Sequence, residues 1–402
     1  MAVLVVGAGH AAGQLAASLR MEGFDGAIRI IGDEQYPPYQ RPPLSKQLLS
    51  GEMELEQIYL KPDAFYADNR VDLTLGQRVE SIDRAAKTIT LGNGEVAPYD
   101  KLALTTGTRV RKLSIPGADL GGIYYVRTVD DTLGLREQFT HGGHMVVVGG
   151  GYIGLEVAAA ASKQGMSVTV LEMADRVMNR VVAPEVSAFY EKLHRDHGVD
   201  IRTDVRVSGF SGEERVNSVE CDDSSHFDAD VVVVGVGVIA NTELAEAAGL
   251  ACDNGILVNA SAQTEDPDIV SAGDCTNHPN GVYGINIRLE SVQNAVDQAK
   301  TAAKSICGKP ETYSAVPWFW SDQYDVKLQI VGLSQGYTQA VVRGDPASGT
   351  FSVFYLKDGN LIAVDAINSP REYMMGRKLI TEHASPDPIR IADTSVPVKE
   401  LV

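Results

Sequence analysis

Two parts of the chain alternate short β-branched runs with Ala- and Leu-rich segments, and this pattern predicts parallel strands joined by helices. In the first part, a strand at Val3–Val6 precedes a helical segment and a second strand at Ile28–Ile31. The second part repeats the order, with strands at Met145–Val148 and Val168–Leu171 around an Ala-rich helix. The longest apolar run, residues 231 to 238, is broken by glycines and is typical of a buried parallel strand. No run approaches the ~18 residues that a membrane span needs, so we expect neither a membrane segment nor a targeting leader.

The later part of the chain changes character. A strand ending in Gly273-Asp274 and a helix from Ser291 to Ile306 continue the α/β pattern. Beyond Pro317 the spacing predicts an antiparallel hairpin over residues 351 to 364 and a helix over residues 371 to 381. We therefore predict an α/β protein with two Rossmann-like dinucleotide-binding domains and a C-terminal α+β domain. The predicted domains are a discontinuous one over 1–112 and 244–318, a second over 113–243, and a C-terminal one over 319–402.

Each β-branched run leads into a glycine-rich loop at the start of a predicted helix. The loops are Gly7-Ala8-Gly9-His10-Ala11-Ala12 and Gly149-Gly150-Gly151-Tyr152-Ile153-Gly154. An acidic residue follows the next strand in each case, Asp33 in the first and Glu172 in the second. Glycines let the backbone approach a pyrophosphate at a helix N-terminus, and the acid accepts hydrogen bonds from ribose hydroxyls. Two such sites on one chain predict two dinucleotides that meet, and hence electron transfer.

Composition narrows the function further. The 402 residues carry a formal net charge of -18, which argues against a nucleic-acid partner. The four cysteines, Cys221, Cys252, Cys275 and Cys307, are scattered and contain no C-x-x-C pair, so zinc and iron–sulfur spacings are absent. We interpret them as small buried thiols in a reducing, cytoplasmic compartment.

Several motifs together resemble the FAD-dependent NADH:ferredoxin reductases of bacterial P450 and aromatic-ring dioxygenase systems, the putidaredoxin reductase type. The resemblance covers nearly the whole chain and implies the glutathione-reductase-like fold, with FAD bound by the first domain and NADH by the second. It also implies that a reduced flavin passes single electrons to a [2Fe-2S] ferredoxin. The motifs are Arg41-Pro42-Pro43-Leu44-Ser45-Lys46, Val148 to Glu156, Ala272-Gly273-Asp274, Glu290-Ser291-Val292 and Pro317 to Gln323.

The same resemblance implies positions for the site residues. Lys46 and Glu156 are implied beside the reacting ends of flavin and nicotinamide, and Trp320 is implied over the flavin on the ferredoxin side. NADH contacts are implied at Gly149, Gly151, Tyr152, Ile153, Gly154 and Glu172. Further FAD contacts are implied at Gly7, Gly9, Ala11, Ala12, Asp33, Arg41, Lys46, Val79, Arg127, Asp274, Val292 and Trp320.

The sequence departs from the family pattern at three positions, where Ala12 replaces a glycine, Thr105 an alanine and Ala240 a proline. None of these argues against cofactor binding. Disulfide reductases of this fold carry a C-x-x-x-x-C pair soon after the first βαβ unit, and that segment has no cysteine here. Electrons are therefore expected to leave the flavin directly. His194 and His197, at i and i+3, are interpreted as a solvated helix end rather than a metal pair.

Ferredoxins of this type are acidic, so we expect docking on a local basic face. Lys300 and Lys304 share one face of a predicted helix, and Arg371, Arg377 and Lys378 form a second cluster. The resemblance implies that both lie near Trp320. Two alternatives remain open: a related flavin NADH reductase with another acceptor, such as a monodehydroascorbate-type enzyme, and a nucleotide-controlled partner-binding protein resembling apoptosis-inducing factor.

Overall fold

The computed structural model describes residues 1–401, and the chain forms two compact units. The first unit consists of residues 1–41, 55–109 and 238–317, and the second of residues 42–54, 110–237 and 318–402. Each unit contains one parallel sheet that begins with one of the two predicted βαβ repeats. Strands and helices are numbered below in chain order.

The parallel sheet of the first unit has the strand order β19-β7-β1-β2-β3. The chain adds β2 and β3 on one side of β1 and later adds β7 and β19 on the other side. The carboxyl ends of β1 and β7 are therefore the point at which the strand order reverses, which is where open α/β sheets bind their ligands. Helix α1 follows β1 and packs its Ala- and Leu-rich face against α8. These elements are β1 (Ala2–Val6), α1 (His10–Met21), β2 (Ala27–Ile31), β3 (Val71–Thr74), β7 (Lys101–Leu104), β19 (Ile269–Ser271) and α8 (Val292–Ile306).

Short elements complete this unit. Strands β4, β5 and β6 form a three-stranded antiparallel sheet, and β18, β20 and β21 form another small sheet. These elements are α3 (Asp63–Asp68), β4 (Val79–Asp83), β5 (Thr88–Leu91), β6 (Val96–Pro98), β8 (Thr108–Val110), β17 (Val238–Ala240), α7 (Glu243–Ala247), β18 (Ile256–Leu257), β20 (Thr276–Asn280) and β21 (Ile285–Ile287).

The second unit repeats the reversal with the parallel order β12-β11-β10-β16-β9. The four valines of β16 are all buried, as the apolar run predicted for a central parallel strand. Strands β13, β14 and β15 form an antiparallel sheet. These elements are α2 (Gln47–Ser50), β9 (Ile123–Tyr124), α4 (Val129–Phe139), β10 (His144–Val148), α5 (Tyr152–Lys163), β11 (Ser167–Leu171), α6 (Pro184–Asp196), β12 (Asp200–Arg202), β13 (Val207–Gly212), β14 (Val216–Cys221), β15 (His226–Asp228) and β16 (Val231–Val234).

The remainder of the second unit is a five-stranded antiparallel sheet of order β22-β23-β26-β25-β24. Helix α9 packs on it, and a side chain at Gly376 would strike Val364, which explains the small residue there. The predicted hairpin is confirmed, with its turn at Asp358-Gly359. These elements are β22 (Trp318–Gln323), β23 (Val326–Gly332), β24 (Gln339–Asp345), β25 (Thr350–Lys357), β26 (Asn360–Ile367), α9 (Pro370–Thr381) and α10 (Pro388–Ala392). Across residues 1–401, no helix has the length and apolar character required to cross a bilayer.

Candidate active site

Both glycine loops lie where their sheet reverses its strand order. Gly7 follows β1 with φ +101°, and a Cβ on it would lie 2.3 Å from the carbonyl oxygen of Thr105, the residue after β7. Gly149 follows β10 with φ +107°, and its Cβ would lie 2.6 Å from the carbonyl oxygen of Gly235, just past β16. Only glycine fits these two places, because both the left-handed backbone and the neighbouring strand exclude a side chain.

The residue before each helix faces open space. Gly9 and Gly151 are the N-caps of α1 and α5, and neither helix start has a hydrogen bond from a capping side chain. A Cβ on either glycine would meet nothing within 4 Å. A helix start without a capping side chain, its positive end and room for phosphate oxygens are what a dinucleotide pyrophosphate requires. The residues present therefore fit the two dinucleotides that the sequence predicts.

The third glycine position differs between the loops. A Cβ at Gly154 would lie 2.1 Å from the carbonyl oxygen of Gly149, so the second loop needs glycine there. In the first loop Ala12 takes the equivalent place and is fully buried, and its neighbour Ala11 is also buried. The Thr105 hydroxyl lies 3.0 Å from the carbonyl oxygen of Val6 and is satisfied inside the loop. These two departures from the family pattern are thus accommodated.

Glu172, directly after β11, is the acid that the sequence predicts for the second site. Its two carboxylate oxygens accept backbone hydrogen bonds of 2.7 Å from Gly150 and from Ala174. These bonds fix the carboxylate beside the glycine loop, where it can still accept ribose hydroxyls. Arg176, which follows closely, donates to the carbonyl oxygens of Val182 and Asn179 and to the Ser187 hydroxyl.

The acid of the first site is arranged differently. Asp33 lies two residues beyond β2 and is exposed, whereas the half-buried neighbour Glu34 accepts hydrogen bonds from Arg41 at 2.8 Å and from the Tyr39 hydroxyl at 2.5 Å. The Arg41 guanidinium also lies over the Tyr39 ring, 5.0 Å from its centroid. Asp33 therefore stays the predicted ribose acid of the first site, and the contacts of Glu34 with Arg41 and Tyr39 are an addition that the sequence analysis did not predict.

Arg41 also lies in the field of Asp274 within the same unit. Burial opposes its charge, but Tyr39, Glu34 and Asp274 together raise the pKa of Arg41, so the guanidinium is held as a cation. Asp274 is half-buried, with the Thr108 hydroxyl 3.5 Å from its carboxylate. The structure therefore brings together two residues that are far apart in sequence.

The remaining predicted FAD contacts have simple surroundings. Val292 is the first residue of α8, and the preceding Ser291 caps the helix by accepting from the Asn294 N–H at 3.0 Å. Val79 is buried at the start of β4. Arg127 is half-buried in the second unit, where its backbone N–H donates to Asp131.

In the second unit, the predicted Lys46–Glu156 pair forms. Lys46 Nζ lies 2.9 Å from Glu156 Oε1, and the side chains are only 11% and 4% exposed. Two hydroxyl groups also donate hydrogen bonds to the Glu156 carboxylate: Ser45 donates to Oε2 and Ser321 donates to Oε1, both at 2.6 Å. A cavity of about 110 Å³ opens beside the pair. Neither serine was predicted, since nothing local in the sequence links them to Glu156.

Aromatic residues of β22 and α5 pack against one another in the same unit. Trp320 is half-buried on β22, with its ring centroid 5.7 Å from that of Trp318 and 6.4 Å from that of Phe319. The ring of Tyr152, the first residue of α5, lies 4.8 Å from Phe319. Next to Tyr152, the Ile153 side chain is 42% exposed, which leaves an apolar contact at the mouth of the second glycine loop.

The interpretation of His194 as part of a solvated helix end is wrong. Its side chain is fully buried, and its Nε2 lies 2.8 Å from Gln323 Oε1. Burial lowers the pKa of His194 to about 4, so the ring is neutral near pH 7. His197 is exposed as expected, and its ring stacks on Tyr324 at 3.7 Å. The helix amphipathicity could have signalled the burial, because His194 follows Tyr190 by four residues on the buried face.

The predicted basic residues are only partly available. Lys300 pairs with Asp297 at 3.0 Å, and Lys304 pairs with Glu311. Lys378 lies 3.9 Å from Glu382. Arg377 is exposed on α9 and has no carboxylate within 4 Å among residues 1–401.

The cysteines are free thiols with little reactivity. Cys221 and Cys275 are buried as predicted, whereas Cys252 and Cys307 are only half-buried. Burial raises the pKa of each thiol, that of Cys252 to about 11, so all four stay protonated near pH 7.

Two family models match the chain. Residues 1–299 match the model described as pyridine nucleotide-disulphide oxidoreductase, and residues 318–402 match the model described as reductase C-terminal. Putidaredoxin reductase CamA from Pseudomonas putida is 45% identical, covering 100% of this chain and 96% of the relative. The ferredoxin–NAD(+) reductase component of the anthranilate 1,2-dioxygenase system from Burkholderia cepacia is 42% identical, covering 99% and 98%.

Solved structures agree with these relatives. The crystal structure of the covalent putidaredoxin reductase–putidaredoxin complex contains a chain that matches with a TM-score of 0.96 and 44% identity. That match covers 100% of this chain and 97% of the other. The two-dinucleotide fold with a C-terminal reductase domain is thereby confirmed.

Proposed function

Because this chain belongs to the pyridine nucleotide-disulphide oxidoreductase family, and within it to the ferredoxin reductases of the putidaredoxin reductase type, we propose that it is an FAD-containing reductase. It takes hydride from NADH and passes single electrons to a [2Fe-2S] ferredoxin that feeds a P450 or an aromatic-ring dioxygenase. Each turnover consumes one NADH, reduces two ferredoxins and releases one proton.

One observation carries the proposal. Two glycine loops with open, uncapped helix starts lie on one chain, and the first 220 residues contain no cysteine. A disulfide reductase of this fold needs a cysteine pair close to its flavin. Direct electron transfer to an external acceptor is the chemistry that the residues of this chain support.

FAD, when bound, supplies the conversion of a two-electron donor into two single-electron steps. The first unit would hold it through Gly7, Gly9 and the charged group of Arg41 and Asp274. Backbone groups at the start of α8, near Val292, would face the ring end. No cysteine or histidine motif for flavin attachment is apparent, so acid precipitation should release the flavin into the supernatant.

Lys46 would supply the charge that hydride transfer requires. Its ammonium is positioned by the Glu156 carboxylate, 2.9 Å away, and would stabilise negative charge that grows in the transition state. Glu156 lies on α5, two residues beyond the second glycine loop, so the same helix would bind the NADH pyrophosphate and position Lys46. Trp320 would contact the flavin on the side from which electrons leave.

The domain assignment and the location follow as part of the same proposal. Residues 1–112 and 244–318 bind FAD, residues 113–243 bind NADH, and residues 319–402 form the C-terminal domain. The free, protonated thiols fit a reducing compartment, so we place the enzyme in the cytoplasm.

The decisive experiment measures NADH oxidation by the purified holoenzyme with a panel of [2Fe-2S] ferredoxins and with ferricyanide as a small artificial acceptor. Turnover with ferricyanide and with at least one ferredoxin is the expected result. Turnover with ferricyanide alone would favour a reductase with another acceptor. Tight FAD and NADH binding without turnover would favour a nucleotide-controlled partner-binding protein.

A further inference from the structure

A line of buried polar side chains leads from Glu156 away from Lys46. The Ser321 hydroxyl lies 2.6 Å from Glu156 Oε1, and Gln323 Nε2 lies 3.2 Å from that hydroxyl oxygen. Gln323 Oε1 lies 2.8 Å from His194 Nε2. Ser321, Gln323 and His194 are each at most 1% exposed, and all belong to the second unit.

The carboxylate fixes the direction of every bond in this line. Glu156 is ion-paired with Lys46 and can only accept, so the Ser321 hydroxyl must point its hydrogen at Glu156. The Ser321 oxygen is then an acceptor, and the Gln323 amide must present its NH₂ to it. That orientation leaves the Gln323 oxygen facing His194, whose Nε2 must therefore carry the hydrogen.

The ring of His194 agrees with this order. A neutral imidazole with hydrogen on Nε2 has a lone pair on Nδ1, and the Tyr324 hydroxyl lies 3.4 Å from that atom. Burial is the main cause that lowers the pKa of His194, and the electrostatic interaction with His197 lowers that pKa further. Each donor in the line therefore points toward the Glu156 carboxylate.

Tyr324 closes the far end of the line. It has φ +56°, a left-handed conformation that is costly for a bulky residue. Its ring is held by the His197 ring, stacked at 3.7 Å, and by the His194 ring, edge-on at 5.1 Å. This packing keeps the imidazole in place beneath the protein surface.

We propose that His194, Gln323 and Ser321 are positioning residues that form a one-way hydrogen-bond line onto Glu156. The line holds the carboxylate, and through it the Lys46 ammonium, in the geometry used for hydride transfer. The hydrogen bond to the charged Glu156 carboxylate is strengthened by such a line, because each hydrogen bond polarises the donor of the next one. The role in hydride transfer rests on the proposed function, whereas the bond directions do not.

The first test is the tautomer of His194, read by NMR of the full-length protein labelled with ¹⁵N histidine. The wild type should show one neutral tautomer with hydrogen on Nε2. In Ser321→Ala the Gln323 amide loses its fixed orientation, so the tautomer with hydrogen on Nδ1 should become measurable. Ser352→Ala is the matched control, since it removes a buried strand serine of the same sheet that has no hydrogen-bond partner among residues 1–401.

The second test is single-turnover reduction of the bound flavin by NADH. Ser321→Ala should lower the limiting rate constant about tenfold, with the apparent NADH affinity changed less than twofold, because only the reacting geometry is disturbed. Ser321→Thr keeps the hydroxyl and should restore the tautomer and most of the rate. Ser352→Ala should match the wild type in both measurements.

Clear results would overturn the proposal. A wild-type His194 with hydrogen on Nδ1 contradicts the bond directions, and a Ser321→Ala variant with the wild-type tautomer and rate contradicts the coupling. If Ser321→Ala does not fold, Gln323→Met interrupts the same hydrogen-bond line with a side chain of similar volume. A wild-type rate of flavin reduction in that variant would also contradict the coupling. Failure of the proposed function would remove the kinetic test alone, because the tautomer is read without NADH or ferredoxin.

Discussion

Replacing Lys46 by Met tests the buried ion pair most directly. The methionine keeps most of the volume and leaves the Glu156 carboxylate, 4% exposed, without its cation. Breaking a buried pair by removing one partner costs about 3–5 kcal/mol. Glu156 still accepts hydrogen bonds from the Ser45 and Ser321 hydroxyls, both at 2.6 Å, so the loss of folding free energy should lie at the lower end of this range, about 3 kcal/mol. At roughly 2–4 °C per kcal/mol, the melting temperature should fall by about 6–12 °C.

The assay is thermal unfolding at saturating FAD and fixed protein concentration, because bound cofactor shifts the transition. Lys192→Met is the matched control: its ammonium pairs with Asp196 on an exposed helix face and is 74% exposed, so the shift should be about 2 °C or less. Flavin reduction by NADH should slow at least about tenfold in Lys46→Met and remain unchanged in the control. Equal melting temperatures and equal reduction rates in the two variants would refute both the energetic and the mechanistic role of the pair.

Three further predictions concern the cofactor preference, the partner and the response to pH. Glu172 is the predicted ribose acid of the NADH site, and Arg176 is engaged by protein groups. Because the carboxylate would repel a 2′-phosphate, kcat/KM should favour NADH over NADPH by at least about tenfold. Glu172→Gln should narrow this ratio by improving the efficiency with NADPH, and equal efficiencies in the wild type would contradict the prediction. A double variant in which Lys300 and Arg377 are both replaced by Glu should raise the apparent KM for ferredoxin at least about tenfold in steady-state assays. Ferricyanide reduction should stay intact, and raised salt should have the same effect on the wild type as the two substitutions. Normal ferredoxin kinetics of the variant at low salt would place docking elsewhere. Burial lowers the pKa of His278 to about 4, so between pH 4 and 6.5 the unfolded chain binds more protons than the folded chain, and the free energy of unfolding should rise with pH across that window by up to about 3 kcal/mol. His278→Phe should flatten this part of a profile of melting temperature against pH. An unchanged profile in the variant would disprove the prediction.

The two dinucleotide-binding folds were predictable because their constraints are local. Gly7 and Gly149 need left-handed backbone beside the next strand, and Gly9 and Gly151 need open space, so the loop sequences themselves report the geometry. Strand patterns on both sides then fix the parallel order. The hairpin near residue 358 was predictable for the same reason, since its turn residues are adjacent in sequence.

The surroundings of Glu156 could not be predicted in the same way. Ser45 and Ser321 are 111 and 165 residues away from it in sequence, and an isolated serine carries no signal of its partner. His194 was misjudged because its charged sequence neighbours indicated solvent, whereas its helix turns that one side chain inward. The pairing of Arg41 with Glu34 could not be predicted either, because the two residues lie seven positions apart in an irregular proline-rich loop and spacing does not show where the Arg41 side chain reaches.

The hydrogen bond between Ser321 and Glu156 links the C-terminal sheet to the candidate active site. Ser321 belongs to the region that matches the reductase C-terminal model, and its hydroxyl completes the carboxylate of a residue on the second glycine-loop helix. A buried carboxylate with one hydrogen bond fewer would be costly, so the helix and the C-terminal sheet stabilise each other through Glu156. The sheet therefore contributes a polar group to the candidate active site, in addition to any surface that it offers a ferredoxin. Changes in its β22 strand are expected to alter hydride transfer even where they leave partner binding untouched.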